Sequence, residues 1–298
     1  MSTRDLGLRP TSAGKVRDLF DLGDRLLLVA SDRISAYDVV FDDPIPGKGM
    51  LLTQMSLAWF DLLRDVRENH LLTADVSEFP APFCDHEELA GRSMLVRKAR
   101  RVDAECIVRG YLAGSGWRDY QESGRICGLS LPQGLRESER LPKPLFTPST
   151  KAESGHDRNI DHAELEGLVG KETAAALERA SIEIYQRAAD YARERGILLA
   201  DTKFEFGYVE GRLILIDEAL SPDSSRFWPA EDYAVGRAQQ SFDKQFLRDW
   251  LDASGWDHSP PPPRLPAAIV QRTQERYVEA LRRLFPRVLA SLPAAVAP

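Results

Sequence analysis

Apolar residues recur along this chain with two different periods. Residues Lys15–Phe20 and Leu26–Ala30 flank the turn Leu22-Gly23-Asp24, which predicts an opening β-hairpin. From Leu52 the positions Leu52, Met55, Trp59, Leu62, Leu63 and Val66 follow i, i+3, i+4 spacing, the stripe of an amphipathic helix. Met94–Lys98 and Glu105–Val108 read as two more strands, and Gly110–Gly116 leads into a short helix around Trp117–Glu122. Leu129–Gly155 has no period and is rich in Pro, Gly and Ser, so it reads as a long loop, a kind that is usually functional. Asp161 is placed to cap a short helix. A long helix spans Lys171 to Arg195, and Gly196 stops it. Strands follow within Ile197–Val209 and over Arg212–Asp217, then a helix over Asp232–Ala253. Pro260–Pro263 forms a stiff spacer. A terminal helix, Ala267–Leu284, carries Ile269, Val270, Tyr277, Leu281 and Leu284 as its packing face.

Strands first, then mixed strands and long helices, predict an α+β protein of two lobes. The expected divisions are 1–100, an N-terminal β-rich lid lobe; 101–258, a larger α/β-rich lobe; and 259–298, a link and helix packed on the body. The 298 residues suffice for a sizeable core, and 43% hydrophobic with 29% charged residues excludes a disordered chain. A net charge of -7 gives no basic field for a nucleic acid backbone. Cys84, Cys106 and Cys127 are scattered and odd in number, which argues against a disulfide framework or structural zinc and suits a reducing cytoplasm. MSTRDLGLRP has no apolar core of a signal peptide, and no apolar run approaches the ~18 residues of a membrane helix. A soluble cytoplasmic protein is expected.

The most informative stretch is Ile197–Glu218. Alternation sets Phe204 and Phe206 on one face and Asp201, Lys203 and Glu205 on the other. Register decides where Asp217 falls. A two-residue Glu210-Gly211 turn would set Asp217 opposite Phe204. A three-residue loop, Val209-Glu210-Gly211, pairs Lys203 with Asp217, Phe204 with Ile216 and Phe206 with Ile214, and it is the loop expected here. Glu205 and Asp217 are then diagonal neighbours about 7–8 Å apart, able to converge on one Mg²⁺. A solvated charged strand face is the competing reading.

Three other segments are candidates for binding anions. Gly14-Lys15-Val16-Arg17-Asp18 can fold over a nucleotide, although it is neither a Walker A motif nor a GxGxxG fingerprint. Arg109-Gly110 and Ala113-Gly114-Ser115-Gly116 bring small residues to a helix start, which suits an oxyanion and equally suits a plain connection. Ser221–Arg226 would hold Arg226 over the carboxylate face. His156 reads as a surface residue and Cys106 as a buried hydrophobe.

The segments GKVRDLF, SDRISAYD, AECIVRGYLAGSGW, PSTKAESGHDRNI, LADTKFEFG, IDEALSPDSSRFWP and SFDKQFLRDWL resemble, in order, the SAICAR synthetase (phosphoribosylaminoimidazole-succinocarboxamide synthase) family. ECIVRGYLAGS and LADTKFEFG are highly specific; GKVRD is not. The Pro-rich link and last helix resemble the longer, fungal-type members. The resemblance implies an ATP-dependent ligase that joins L-aspartate to carboxyaminoimidazole ribonucleotide (CAIR) in purine biosynthesis, acting as a monomer or homodimer without nucleic acid or membrane partners. It further implies Glu205 and Asp217 as Mg²⁺–ATP ligands, Lys15 and Arg17 as a phosphate lid, and Lys98 near the nucleotide. Arg109, Ser115 and Arg226 would hold the ribonucleotide phosphate. Lys203, Asp38 and Asp157 would line the imidazole and aspartate region, with Asp243, Lys244 and Arg248 at its edge. Arg17 stands where short-form members often carry lysine. A kinase-like phosphotransferase would use the same lid, lysine and carboxylates, but its HRD and DFG-type motifs are missing. A nucleotide-binding protein without catalysis is the third reading.

Overall fold

The computed structural model describes residues 3–151 and 158–296, so Asp157 and His156 lie outside the described residues. Two antiparallel sheets organise the chain. The first has five strands in the order Ser12–Ala13, Arg17–Asp21, Arg25–Ala30, Ser93–Arg97, Leu71–Thr73. The second has seven and is centred on the 13-residue strand Ile197–Val209. Seven α-helices complete the described fold: α1 Lys48–Leu62, α2 Gly114–Ser123, α3 His162–Val169, α4 Lys171–Arg193, α5 Gln245–Ala253, α6 Ala267–Leu284 and α7 Pro286–Ala290. The mixture is α+β, as the patterning predicts.

Local sequence accounts for most of these boundaries. Asp161 accepts the Glu164 backbone N–H at 2.8 Å, and the Glu164 carboxylate accepts the Asp161 N–H at 3.1 Å, closing a capping box on α3. Gly196, at φ 71, lets the chain leave α4 in a left-handed turn. On α1, Leu52, Met55 and Trp59 of the expected stripe are buried, but the helix begins earlier, at Lys48, and ends at Leu62, so Leu63 and Val66 follow it. On α6 the stripe divides: Tyr277, Leu281 and Leu284 join the main core, whereas Ile269 and Val270 pack beside Phe41 and Leu247 in a smaller cluster.

Three sequence expectations are corrected. The Leu129–Gly155 stretch is not all loop, because Arg140–Phe146 forms a strand against Ala104–Tyr111. Pro142 and Pro144 are tolerated because this is the edge strand and its pairing is interrupted between Arg140 and Leu145. The helix expected over Asp232–Ala253 is confined to Gln245–Ala253. Upstream of it, Gly236 at φ 90 donates its N–H to the Glu137 carbonyl at 2.7 Å, so the backbone bonds to another segment.

The third correction concerns register. Val209 pairs with Arg212, Tyr208 with Leu213, Phe206 with Leu215 and Glu205 with Ile216, so the connection is the two-residue Glu210-Gly211 turn. Both turn residues have positive φ, 51 and 77, the type I′ geometry that matches strand twist. Asp217 nonetheless does not fall on the Phe face. The strand ends at Ile216, and Asp217 itself adopts φ 63, which turns its carboxylate out of the alternation. Phe204 and Phe206 stay wholly buried in the core.

Candidate active site

The central strand runs past a break between its partners. Residues Ile197–Thr202 pair with Ser225–Pro229, and Glu205–Val209 pair with Arg212–Ile216, so the chain from Asp217 to Ser224 leaves the sheet beside Lys203. The Lys203 N–H donates to the Ser224 carbonyl at 2.9 Å there. Two clefts open on either side of this point.

The first cleft, about 760 Å³, lies between the sheets. Leu19, Leu26, Leu28, Val96 and Ile216 make its apolar wall, while Lys15, Arg17, Lys151, Glu205 and Asp217 supply charge. Arg17 is ion-paired with Asp217 and lies 3.3 Å from Glu218; Lys151 is ion-paired with Glu205. Burial works against charge on Asp217, but Arg17 and Lys151 hold its carboxyl below the usual carboxylate range. Burial raises Glu218 despite Arg17. Among the described residues no three His, Cys, Asp or Glu converge as a metal cluster. The donor set offered to a cation is the Glu205–Asp217 pair, each now facing a cationic side chain.

The second cleft, about 700 Å³, is lined by Tyr37, Asp38, Ser115, Lys203, Arg226, Trp228, Lys244 and Arg248, among others. Lys203 bonds Glu105 at 2.5 Å; burial would discharge its ammonium, yet Glu105, with Glu205 and Asp217, keeps its pKa above the ordinary value. Behind Ser115, Arg109 is buried and donates to Ser115 Oγ at 2.9 Å and to Thr147 Oγ1 at 3.0 Å. Arg226 holds Asp201 at 2.7 Å, and Arg109 reaches the same carboxylate at 3.4 Å. Gly114, at φ 56, is required here: a Cβ would stand 2.4 Å from Arg226 Nη2. Lys15 pairs with Asp38, so the hairpin of the first cleft touches the rim of the second.

The expected residues are thus divided. Glu205, Asp217, Lys15 and Arg17 meet in one cleft; Lys203, Ser115, Arg226, Asp38, Lys244 and Arg248 meet in the other, with Asp243 buried beside them. Arg109 stands one layer back. Asp201, expected to share a face with Lys203 and Glu205, keeps an unbroken register with Lys203 against Ala104–Tyr111 and is buried between two arginines, Arg109 and Arg226. Lys98 does not line either cleft: it pairs with Asp21 at 2.6 Å, while its neighbours Arg97 and Ala99 face the first cleft. Sequence reasoning missed Lys151, Glu105, Tyr37 and the apolar wall. Lys151 could have been found as the only lysine of the PSTKAESGHDRNI segment; Tyr37 and Asp38, with φ 51 and 63, carry strain that no sequence pattern signals.

Fold and site together define a two-sheet α+β protein with an apolar-walled, carboxylate-bearing cleft joined to a second, cation-lined one. The SAICAR synthetase family model matches residues 10–263, and the chain belongs to that family. It is 56% identical over 280 residues to the phosphoribosylaminoimidazole-succinocarboxamide synthase of Syntrophobacter fumaroxidans, covering 93% of each chain. A structure of the SAICAR synthase from Saccharomyces cerevisiae complexed with SAICAR superposes with a TM-score of 0.85 at 43% identity, covering 94% of this chain and 95% of that one. A SAICAR synthetase in complex with ADP, 24% identical and covering 93% and 97%, shares the fold at a TM-score of 0.69. The length expected of the fungal-type form is therefore shared by the Syntrophobacter protein as well.

Proposed function

We propose that this chain is the ATP-dependent ligase that joins L-aspartate to the carboxylate of CAIR, giving SAICAR, ADP and phosphate in purine biosynthesis. The observation that carries this reading is the meeting of the two clefts at Lys203 and Glu205, within two residues of one strand. A phosphoryl donor in the first cleft would end beside a carboxylate held in the second. The Syntrophobacter relative bears the name of this enzyme and the yeast neighbour was solved with its product, which supports the same assignment.

In this reading the apolar wall of Leu19, Leu26, Leu28, Val96 and Ile216 takes the adenine, and Lys15, Arg17 and Lys151 face the phosphates. Glu205 and Asp217 would hold Mg²⁺, since that ion takes one or two carboxylates and completes its shell with phosphate and water. Bound there, it neutralises phosphate charge and templates the transfer. Arg226 and Ser115, backed by Arg109, would hold the ribonucleotide phosphate, with Lys244 and Arg248 nearby. A carboxylate is a poor electrophile. Its oxygen attacks the γ-phosphorus, expelling ADP and leaving an acyl phosphate; the aspartate amine then attacks the acyl carbon, loses a proton and expels phosphate. Lys203 stands where it can neutralise oxygens in both steps, which are mainly positioning and charge compensation. Residues 1–100 would act as a lid lobe over the body formed by 101–258, with 259–298 packed on it. The chain would work on soluble small molecules in the cytoplasm; among the described residues no helix is long and apolar enough to cross a membrane.

Measuring ADP release with each substrate omitted in turn tests the assignment. Steady release that requires ATP, CAIR and L-aspartate together is expected. Release sustained without aspartate would overturn the ligase in favour of a phosphotransferase.

A further inference from the structure

Lys48 is wholly buried at the first turn of α1, where the helix dipole disfavours a cation. Its partner is Asp223, in the loop that leaves the central sheet. Lys48 Nζ lies 2.7 Å from Asp223 Oδ2, and Lys244 Nζ lies 3.0 Å from that same oxygen. The hydroxyl of Tyr277, on α6, donates to the other oxygen, Oδ1, at 2.8 Å. Three donors from three distant segments therefore share one buried carboxylate. Two ammonium groups meet one carboxylate, and the neighbouring Glu218 is engaged by Arg17. Of the two lysines only Lys244 reaches open space, as part of the second cleft's lining.

The carboxyl-terminal segment reinforces this arrangement from outside the 10–263 span of the family model. Tyr277 lies beyond that span. So does Val296, whose side chain packs so closely on Gly47, the residue before Lys48, that a Cβ at Gly47 would stand 2.8 Å from it. Burial would raise the Asp223 carboxyl, but Lys244 and Lys48 keep it ionised below the usual carboxylate range; burial also lowers the Lys244 ammonium, with Asp223 opposing.

We infer that Lys48 and Tyr277 are positioning residues: by sharing the Asp223 carboxylate they leave the Lys244 ammonium only partly compensated and directed at an anionic oxygen of substrate in the second cleft. The C-terminal helix is thereby built into the site. If Asp223 had Lys244 as its sole partner, the pair would close on itself and offer the cleft little charge. The inference rests on the reading of the second cleft as a substrate site. The oxygen can belong to the aspartate carboxylates or to the ribonucleotide, which share this chemistry.

The test is steady-state kinetics of the full chain, varying ATP, CAIR and L-aspartate in turn, for wild type, Lys48→Met and Tyr277→Phe. Each variant should raise KM for CAIR or for aspartate by roughly fivefold to tenfold, the scale of one ordinary hydrogen bond. KM for ATP and kcat should stay at wild-type values. A rise for aspartate alone assigns Lys244 to the amino acid, and a rise for CAIR alone assigns it to the ribonucleotide. Lys48→Met can fail to fold, because α1 begins there; Tyr277→Phe removes one hydroxyl and carries the test by itself. A lowered Tm with all three KM values unchanged would overturn the inference. A wild type without aspartate-dependent ADP release would instead remove the proposed function itself.

Discussion

Arg17, on the five-stranded sheet, is ion-paired with Asp217, which directly follows a strand of the seven-stranded sheet. One guanidinium thus ties the two sheets together at the floor of the first cleft, 200 residues apart in sequence. It also engages Oδ1 of the carboxylate that the proposed function assigns to a metal ion. A charged pair that closes a cleft by itself can open when phosphate oxygens offer Arg17 another partner.

Glu205→Gln and Asp217→Asn should each lower kcat by about two orders of magnitude or more, the cost of a lost charge-stabilising group. The Tm should change little for Glu205→Gln, whose Lys151 partner is part-exposed. ADP release at saturating Mg²⁺ checks the claim, and near-normal turnover in either variant would remove both residues from the metal site.

Gly114→Ala should raise KM for CAIR and spare KM for ATP. The new Cβ would stand 2.4 Å from Arg226 Nη2, at a backbone φ of 56 that disfavours any side chain. Arg226 lines the second cleft only. A rise confined to ATP would assign this turn to the nucleotide instead.

Asp201→Ala should destabilise the fold by about 3–5 kcal/mol, because Arg109 is then left buried beside Arg226 without its counter-charge. Chemical denaturation measures this directly. A loss of activity with unchanged stability would mean that Asp201 acts on substrate rather than on the arginines.

Raising ionic strength should lower kcat/KM. The net charge is -7, yet Lys15, Arg17, Lys151, Lys203, Arg226, Lys244 and Arg248 all line the two clefts, and the proposed substrates are anions. Screening shortens the field to about 8 Å at physiological salt. A flat profile from low to physiological salt would show that these cations do not steer substrate.

Cys127 should resist alkylation at pH 8. Burial pushes its thiol up to about 11, with Arg109 only partly opposing, so roughly one molecule in a thousand carries the thiolate at that pH. Labelling followed by mass spectrometry should give a rate that climbs about tenfold per pH unit until the thiol titrates. A rate equal to that of a free thiol at pH 8 would place Cys127 in open solvent.

Sequence alone determined the elements whose causes are local. The hydrophobic stripe of α1, the Asp161 cap, the Gly196 stop and the alternation that buries Phe204 and Phe206 each depend on residues within a few positions of one another. The match of ordered segments from GKVRDLF to SFDKQFLRDWL likewise made the family and its reaction legible before any contact was known. Tertiary structure decided the rest. Lys98 and Arg97 are adjacent in sequence, but the strand ends at Arg97, which lines the cleft, while the Lys98 N–H donates to the Asp24 carbonyl and its side chain pairs with Asp21. The turn after Val209 was chosen by a positive-φ conformation at Glu210, a non-glycine residue, which residue preferences do not reveal. Asp217 reached the carboxylate site by leaving the strand, and not through the register that alternation suggested. Lys48, Asp223, Lys244 and Tyr277 lie far apart in sequence, and only packing brings a carboxylate within reach of all three donors. Periodicity reports which face of an element is buried; it carries no information about which distant charge is buried against it.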